Sequence, residues 1–239
     1  MIPSHVWCDG FVIHSRPYRD TSLLLDLFTQ DYGRIRAVAK GVRRSDKAGR
    51  GILQLFQPLT LQFYGKRDLL GLKQVDATGP AFRLLGKCLL SGLYLNELLV
   101  RTLTNSDGCL SLYQHYLMTL SVLSETVDPE PCLRAFEQCL LSSLGYGLSL
   151  SVDALSGETV APDAYYFFEP DKGVTFAPGA ALQQAKYRFL GAHLLAIDAA
   201  AFNEPAVRRD AKRLFRLALA PLLGHKPIKS RELFVTIGT

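Results

Sequence analysis

Tyr32-Gly33-Arg34-Ile35-Arg36-Ala37-Val38-Ala39-Lys40-Gly41 alternates in character: Arg34 and Arg36 take one set of positions, Ile35 and Ala37 the other. A period of two marks a half-buried strand, here with one cationic face. Gln30-Asp31-Tyr32-Gly33 is the short turn that leads into it. On the amino side, Ser22 to Thr29 is strand-like, Arg16-Pro17-Tyr18-Arg19-Asp20 reads as a turn, and Val6 to His14 holds the apolar run Phe11-Val12-Ile13. On the carboxyl side, Gly41 to Gly51 is a strongly basic loop flanked by glycine, and Ile52 to Phe56 is short and apolar. Leu59, Leu61 and Phe63 then alternate with Thr60, Gln62 and Tyr64, and Leu69 to Asp76 is a further strand after Gly65-Lys66-Arg67-Asp68. About five short antiparallel strands in roughly 75 residues suit a small closed barrel of the OB type, with an SH3-like barrel open on pattern alone.

Past Gly79-Pro80 the period becomes helical. Leu84, Leu85, Leu89, Gly92, Leu93, Asn96 and Leu99 mark one buried stripe. A second helix is expected from about Cys109 to Ser124. A third follows Asp128-Pro129, with Leu133, Phe136, Leu140 and Leu144 on its apolar face and Gly145-Tyr146-Gly147 as its stop. Residues 148–178 read as irregular, with a small hairpin through Tyr165-Tyr166-Phe167-Phe168 and Val174-Thr175-Phe176. A helix from about Ala180 to Leu190 and a long one from Pro205 to about Leu222 complete the chain. The expected architecture is α+β: an OB-fold β-barrel domain over 1–79, then a mainly helical domain over 80–239 with an irregular/β insert at about 148–178.

At 239 residues, 48% hydrophobic and 21% charged, the composition is that of a folded globular chain. The net charge of +5 is unevenly placed. Seven basic residues face one acid, Asp46, between Arg34 and Arg50, and eight face Asp210 between Arg208 and Arg231. Between Ser121 and Pro170, Arg134 is the one basic residue against eight acids. The cysteines (Cys8, Cys88, Cys109, Cys132, Cys139) form no CxxC pair, which fits reduced, buried thiols. Neither a signal peptide nor a membrane-length apolar run is visible, and a cytoplasmic, nucleoid-associated protein with no membrane partner is expected.

Catalytic chemistry has little to stand on. The five histidines are scattered, no Cys/His cluster has zinc spacing, and there is no GxSxG. Gly86-Lys87-Cys88 lacks the upstream glycine and the Ser/Thr of a P-loop. No enzyme, metal site or cofactor is expected. The basic block is the informative signal, because cations along a strand and loop neutralise phosphates regardless of base sequence. The candidate nucleic-acid contacts are Arg16, Arg34, Arg36, Lys40, Arg43, Arg44, Lys47, Arg50, Lys66 and Arg67, continued by Arg208, Arg209 and Lys212 on the last long helix. Tyr18, Tyr32 and Tyr64 are candidates for base stacking. Arg216 on that helix, with Lys226, Lys229 and Arg231 in Lys226-Pro227-Ile228-Lys229-Ser230-Arg231-Glu232-Leu233-Phe234, mixes cationic and apolar groups. That mixture suits an acidic peptide with apolar side chains.

Several stretches, in order along nearly the whole chain, resemble the bacterial RecO family. They are Gly10-Phe11-Val12-Ile13-His14-Ser15-Arg16-Pro17-Tyr18, Thr21-Ser22-Leu23-Leu24, the Tyr32 to Gly41 strand, Ser91-Gly92-Leu93-Tyr94-Leu95-Asn96-Glu97-Leu98, and Pro129-Glu130-Pro131 with Leu133-Arg134-Ala135-Phe136-Glu137. Leu144-Gly145-Tyr146-Gly147 and the Lys226 to Phe234 segment complete the set, and the variant is similar to the gammaproteobacterial one.

The resemblance implies an N-terminal OB domain and a helical domain that together act in recombinational repair. Such a protein binds single- and double-stranded DNA and anneals complementary strands. It holds the acidic, apolar C-terminal tail of single-stranded DNA-binding protein, and with RecR it helps RecA load onto coated strands. The resemblance also assigns a tail-binding role to Arg134. Many members carry a four-cysteine zinc site after the Leu-Gly-Tyr stretch, whereas Ser151-Val152-Asp153-Ala154-Leu155-Ser156-Gly157 has no cysteine, so no zinc is expected. From the residues alone, an RNA-binding OB protein, a nucleic-acid-processing enzyme with an OB clamp, and a pure protein adaptor stay open.

Overall fold

The computed structural model describes residues 6–42, 51–65, 69–104, 108–178 and 186–237. Five strands come first: β1 (Trp7–Tyr18), β2 (Ser22–Thr29), β3 (Gly33–Ala39), β4 (Leu59–Tyr64) and β5 (Leu69–Ala77). They close in the order β1-β2-β3-β5-β4, with β4 returning to β1 and β3–β5 the one parallel pair. This is an OB-like barrel, closed by the pairing of β4 with the start of β1. Strand alternation fills the interior: Val12, Leu25, Leu27, Ile35, Ala37, Leu59, Leu61 and Phe63 all point inward and are buried.

β1 is longer than its sequence suggests. Arg16-Pro17-Tyr18, expected as a turn, pairs with Leu24, Leu23 and Ser22 of β2. β4 meets only Trp7 to Gly10, so the far end of β1 has one partner, and Pro17 loses no ladder bond on its other side. The turn falls instead at Arg19-Asp20-Thr21.

Two helices continue the same compact unit: α1 (Gly86–Thr102) and α2 (Leu110–Glu125). The outward aromatics Phe11 and Phe28 of the barrel meet Tyr113 and Tyr116 of α2 with ring centroids 5.3–5.9 Å apart. Such tilted and edge-on pairs each add about 0.5–1.5 kcal/mol beyond area burial. The Tyr116 hydroxyl donates to Asn96 Oδ1 at 2.6 Å, tying α2 to α1. α1 comes so close to the barrel that a methyl at Gly92 would overlap Leu84 and the Phe56 ring.

By packing, the chain divides into two compact units. One compact unit holds Met1–Pro129 and Pro227–Thr239, and the other holds Glu130–Lys226. The last helix, α6 (Lys229–Ile237), returns to α1. There the Glu97 carboxylate accepts the backbone N–H of Lys229 (2.9 Å) and of Ser230 (2.8 Å), together with the Ser230 hydroxyl (2.7 Å). Arg101 donates to the Pro227 carbonyl at 3.0 Å. Burial alone would raise the Glu97 carboxyl, but those hydrogen bonds and the Arg101 charge outweigh it and hold it below its usual range.

The second unit contains α3 (Glu130–Ser143), a three-stranded sheet of β6 (Tyr165–Glu169), β7 (Gly173–Phe176) and β8 (Arg188–Leu190) in the order β7-β6-β8, then α4 (Gly191–Asp198) and α5 (Pro205–Leu223). The hairpin expected through Tyr165 and Phe176 is β6–β7. The helix expected over Ala180 to Leu190 is corrected at its end: Arg188 to Leu190 forms a strand beside β6, and residues 179–185 lie outside the described residues. Phe189 is buried between two half-buried neighbours, and the Arg188 guanidinium lies 3.9 Å from the Tyr165 ring centroid across the pair. These are cross-strand contacts that a helix would not make.

Candidate nucleic-acid interface

The outer side of the barrel has one face that α1 and α2 leave uncovered. Partners in register stand side by side on one face of a sheet. Arg16 is opposite Leu24, Leu24 opposite Val38, Val38 beside Gly71, and Gly71 opposite Tyr64, so one row crosses all five strands. A neighbouring row runs His14, Asp26, Arg36. Arg16, Arg36 and His14 are exposed, and Lys40, just past β3, is exposed too. Leu24 and Val38, between them in the row, are apolar and buried.

At the end of this face the β1–β2 turn, the end of β3, the end of β4 and the start of β5 line an open cleft of about 1160 Å³. Tyr18, Arg19 and Asp20 line one side, Lys40 and Val38 the middle, and Tyr64 the other side. The Arg19 guanidinium lies 5.4 Å from the Tyr18 ring centroid and the Lys40 ammonium 5.7 Å from that of Tyr64. Cations beside aromatic rings match the needs of a sugar-phosphate chain with attached bases.

Arg34 is brought to a different place. Its guanidinium bonds Asp26 at 2.6 and 3.0 Å and donates to the carbonyls of Val100 (2.7 Å) and Leu103 (3.1 Å) at the end of α1. It therefore fastens the helix to the barrel and is not displayed on the exposed face. The same ion pair takes up the charge of Asp26, an acid that would otherwise oppose Arg16 and Arg36. Tyr32 packs against the barrel core, and burial raises its hydroxyl pKa, so it is not part of the face. Arg43, Arg44, Lys47, Arg50, Lys66 and Arg67 lie outside the described residues.

The remaining predicted cations are divided between the two units. Arg209 and Arg216 are exposed on α5; Lys212 bonds Glu130 at 2.8 Å; Arg208 is half-buried, 3.5 Å from the Phe202 carbonyl. Burial would raise the Glu130 carboxyl, but the Lys212 hydrogen bond and the charges of Lys212, Arg134 and Arg208 lower it. Arg134 is not on the surface: its side chain is 5% exposed and meets Glu137 at 2.9 Å. Lys226 is exposed in the second unit. Lys229 and Arg231 belong to the first, where Arg231 donates to the Tyr94 hydroxyl at 2.9 Å.

Among the described residues, no group of three or more His, Cys, Asp or Glu side chains could hold a metal ion, and no helix is long and apolar enough to cross a membrane. Burial pushes the Cys8 thiol up to about 12, with help from Asp31 and Asp9, and burial also raises Cys88; neither is a ready thiolate.

In the insert, Asp153 ties its own loop to β7. The carboxylate accepts the backbone N–H of Leu155 (2.8 Å), Ser156 (3.0 Å) and Phe176. These bonds, led by that of Ser156, hold its carboxyl below the ordinary 3.8. Asp153→Ala should destabilise the second unit by about 3 kcal/mol, as a buried charge-assisted cluster is lost. Amide exchange at Leu155, Ser156 and Phe176 should rise together; unchanged protection there would refute the assignment. A depressed carboxyl contributes stability above its unfolded pKa and loses it as pH falls through the folded one. The wild-type insert should accordingly loosen only below about pH 4.

Comparison with known proteins shows the family of the chain. The family model described as Recombination protein O N terminal matches residues 1–81, and that for Recombination protein O C terminal matches residues 86–232. A DNA repair protein RecO of Actinobacillus pleuropneumoniae serotype 3 is 42% identical over 232 residues, 97% of this chain and 95% of that protein. That of Actinobacillus succinogenes is 44% identical over 94% of this chain and 93% of its own length, and one from Haemophilus influenzae is 43% identical over 94% of each. With matches of this extent at both ends, the chain belongs to the RecO family of DNA repair proteins.

Proposed function

We propose that this protein is a non-enzymatic recombination mediator whose barrel face holds single- and double-stranded DNA. Neutralising phosphates on two strands lowers their mutual repulsion and promotes annealing. With RecR, the protein then helps RecA load onto strands coated by single-stranded DNA-binding protein. The observation that carries the reading is the exposed set Arg16, Arg36 and Lys40 around the apolar pair Leu24 and Val38, with the opposing Asp26 already paired to Arg34. Arg209 on α5 is a further exposed cation, in the second unit.

The second unit is also where we place the acidic tail of single-stranded DNA-binding protein. Arg216 and Lys226 are its exposed cations for the tail carboxylates. Arg134 acts from inside, through its pair with Glu137; Arg231 is engaged on α1 by its guanidinium, whereas Lys229 is held there by its backbone N–H and its side chain is exposed.

Salt titration of DNA binding is the test. Three phosphate contacts predict that log affinity falls against log salt with a slope of at least about −2 for single strands and about −3 for duplex. A flat dependence would remove the face from consideration.

A further inference from the structure

The cleft at the end of the barrel face has a feature that backbone binding does not need. Tyr64 and Gly71 are opposite each other on β4 and β5, and the Tyr64 ring lies across the space where a side chain at 71 would stand. A methyl at Gly71 would overlap three carbons of that ring. The glycine thus lets the ring lie flat on the sheet, and Tyr64 is still 37% exposed and lines the cleft. The Lys40 ammonium is 5.7 Å from the ring centroid. A flat, pinned aromatic ring with a flexible cation over it, lining a cleft larger than a nucleotide, has the parts of a stacking platform once a base takes the place of the ammonium.

We infer that Tyr64, held by Gly71, stacks one unpaired base, with Lys40 on the adjoining phosphate, so that this cleft distinguishes single-stranded from duplex DNA. The inference rests on the barrel face being the DNA-binding face. A base inside a duplex has both faces covered by its neighbours and its edge paired, so it has no free face to give Tyr64. A single strand offers a free face at every nucleotide, whatever its sequence. The rest of the face, which reads phosphates alone, serves both forms. Asp20, the acid in the cleft, lies on the Tyr18 side, away from the Tyr64 wall.

The test compares three probes on the full chain: a thymidine single strand, a fully abasic strand of the same length and charge, and a duplex. The wild type should bind the abasic strand about tenfold more weakly than the thymidine strand, the usual effect of losing one stacked base. Equal affinities would overturn the base site with no variant involved. In Tyr64→Ala the ratio of single-strand to duplex affinity should fall about tenfold, and Tyr64→Phe should restore it. Gly71→Ala should lower that ratio without removing the aromatic ring. A Tyr64→Ala protein with the wild-type ratio would also sink the inference. If the combined Arg16→Glu, Arg36→Glu, Lys40→Glu protein binds all three probes as the wild type does, the face itself is misassigned. If it weakens all three while thymidine and abasic strands bind the wild type equally, the base site alone fails.

Discussion

Arg34→Met should lower the thermal midpoint of the first unit by about 6–12 °C while leaving the DNA affinity of the folded protein nearly unchanged. The Arg34 and Asp26 side chains are only 17% and 12% exposed. Removing one member of a mostly buried pair leaves the other charged and poorly solvated, which costs about 3 kcal/mol at the lower end of the usual range. Two carbonyls at the end of α1, Val100 and Leu103, lose their donor as well. A second change, Asp26→Leu on the Arg34→Met background, should recover part of the loss. The stranded carboxylate is gone, but the carbonyls stay unsatisfied. Calorimetry of the two single variants and the pair gives the coupling directly. A midpoint within a degree or so of wild type would mean that Arg34 does not join helix to barrel.

The opposite pattern is expected for Arg16→Glu, Arg36→Glu and Lys40→Glu together: DNA affinity should drop about a hundredfold at low salt with little change in melting. Each reversal removes an attraction and adds a repulsion, about 1 kcal/mol per exposed site. Three sites give roughly 3 kcal/mol, which is about two powers of ten. Because the groups are exposed, the difference from wild type should shrink as salt is raised. Fluorescence anisotropy on single strands and duplex, across a salt series, measures both quantities. Wild-type affinity in the variant would show that these cations do not meet phosphate.

The contrast between Arg34 and Arg36 shows where sequence reading stops. Alternation puts both on the outer side of β3, and that much is legible in Arg34-Ile35-Arg36-Ala37. What separates them is α1, whose carbonyl partners for Arg34 lie 66 and 69 residues further along. No local pattern reports a contact at that distance. Asp26 was a usable signal: a lone acid in the apolar strand Leu23-Leu24-Leu25-Asp26-Leu27-Phe28 needs a cation nearby. Tyr64 was readable as outward by alternation, but its pinning by Gly71 depends on the register between β4 and β5. The mixture of charge and apolarity at Lys229 and Arg231 suits a peptide site, and it equally suits docking to α1, where the Lys229 backbone and the Arg231 guanidinium are held. The strand at Arg188 to Leu190 was missed because three residues carry too short a pattern to show a period.

The return of α6 to α1 sets an order of events during synthesis. The barrel and its two helices are translated first, but the Glu97 carboxylate waits for Lys229 and Ser230, beyond the whole of Glu130–Lys226. At ordinary elongation rates that interval of roughly 100 residues lasts about 5–20 s. Throughout it, the α1 surface that α6 will cover stands open on the ribosome. The first unit to begin folding is therefore the last to finish, and the unit inserted in its sequence is made while it is still incomplete.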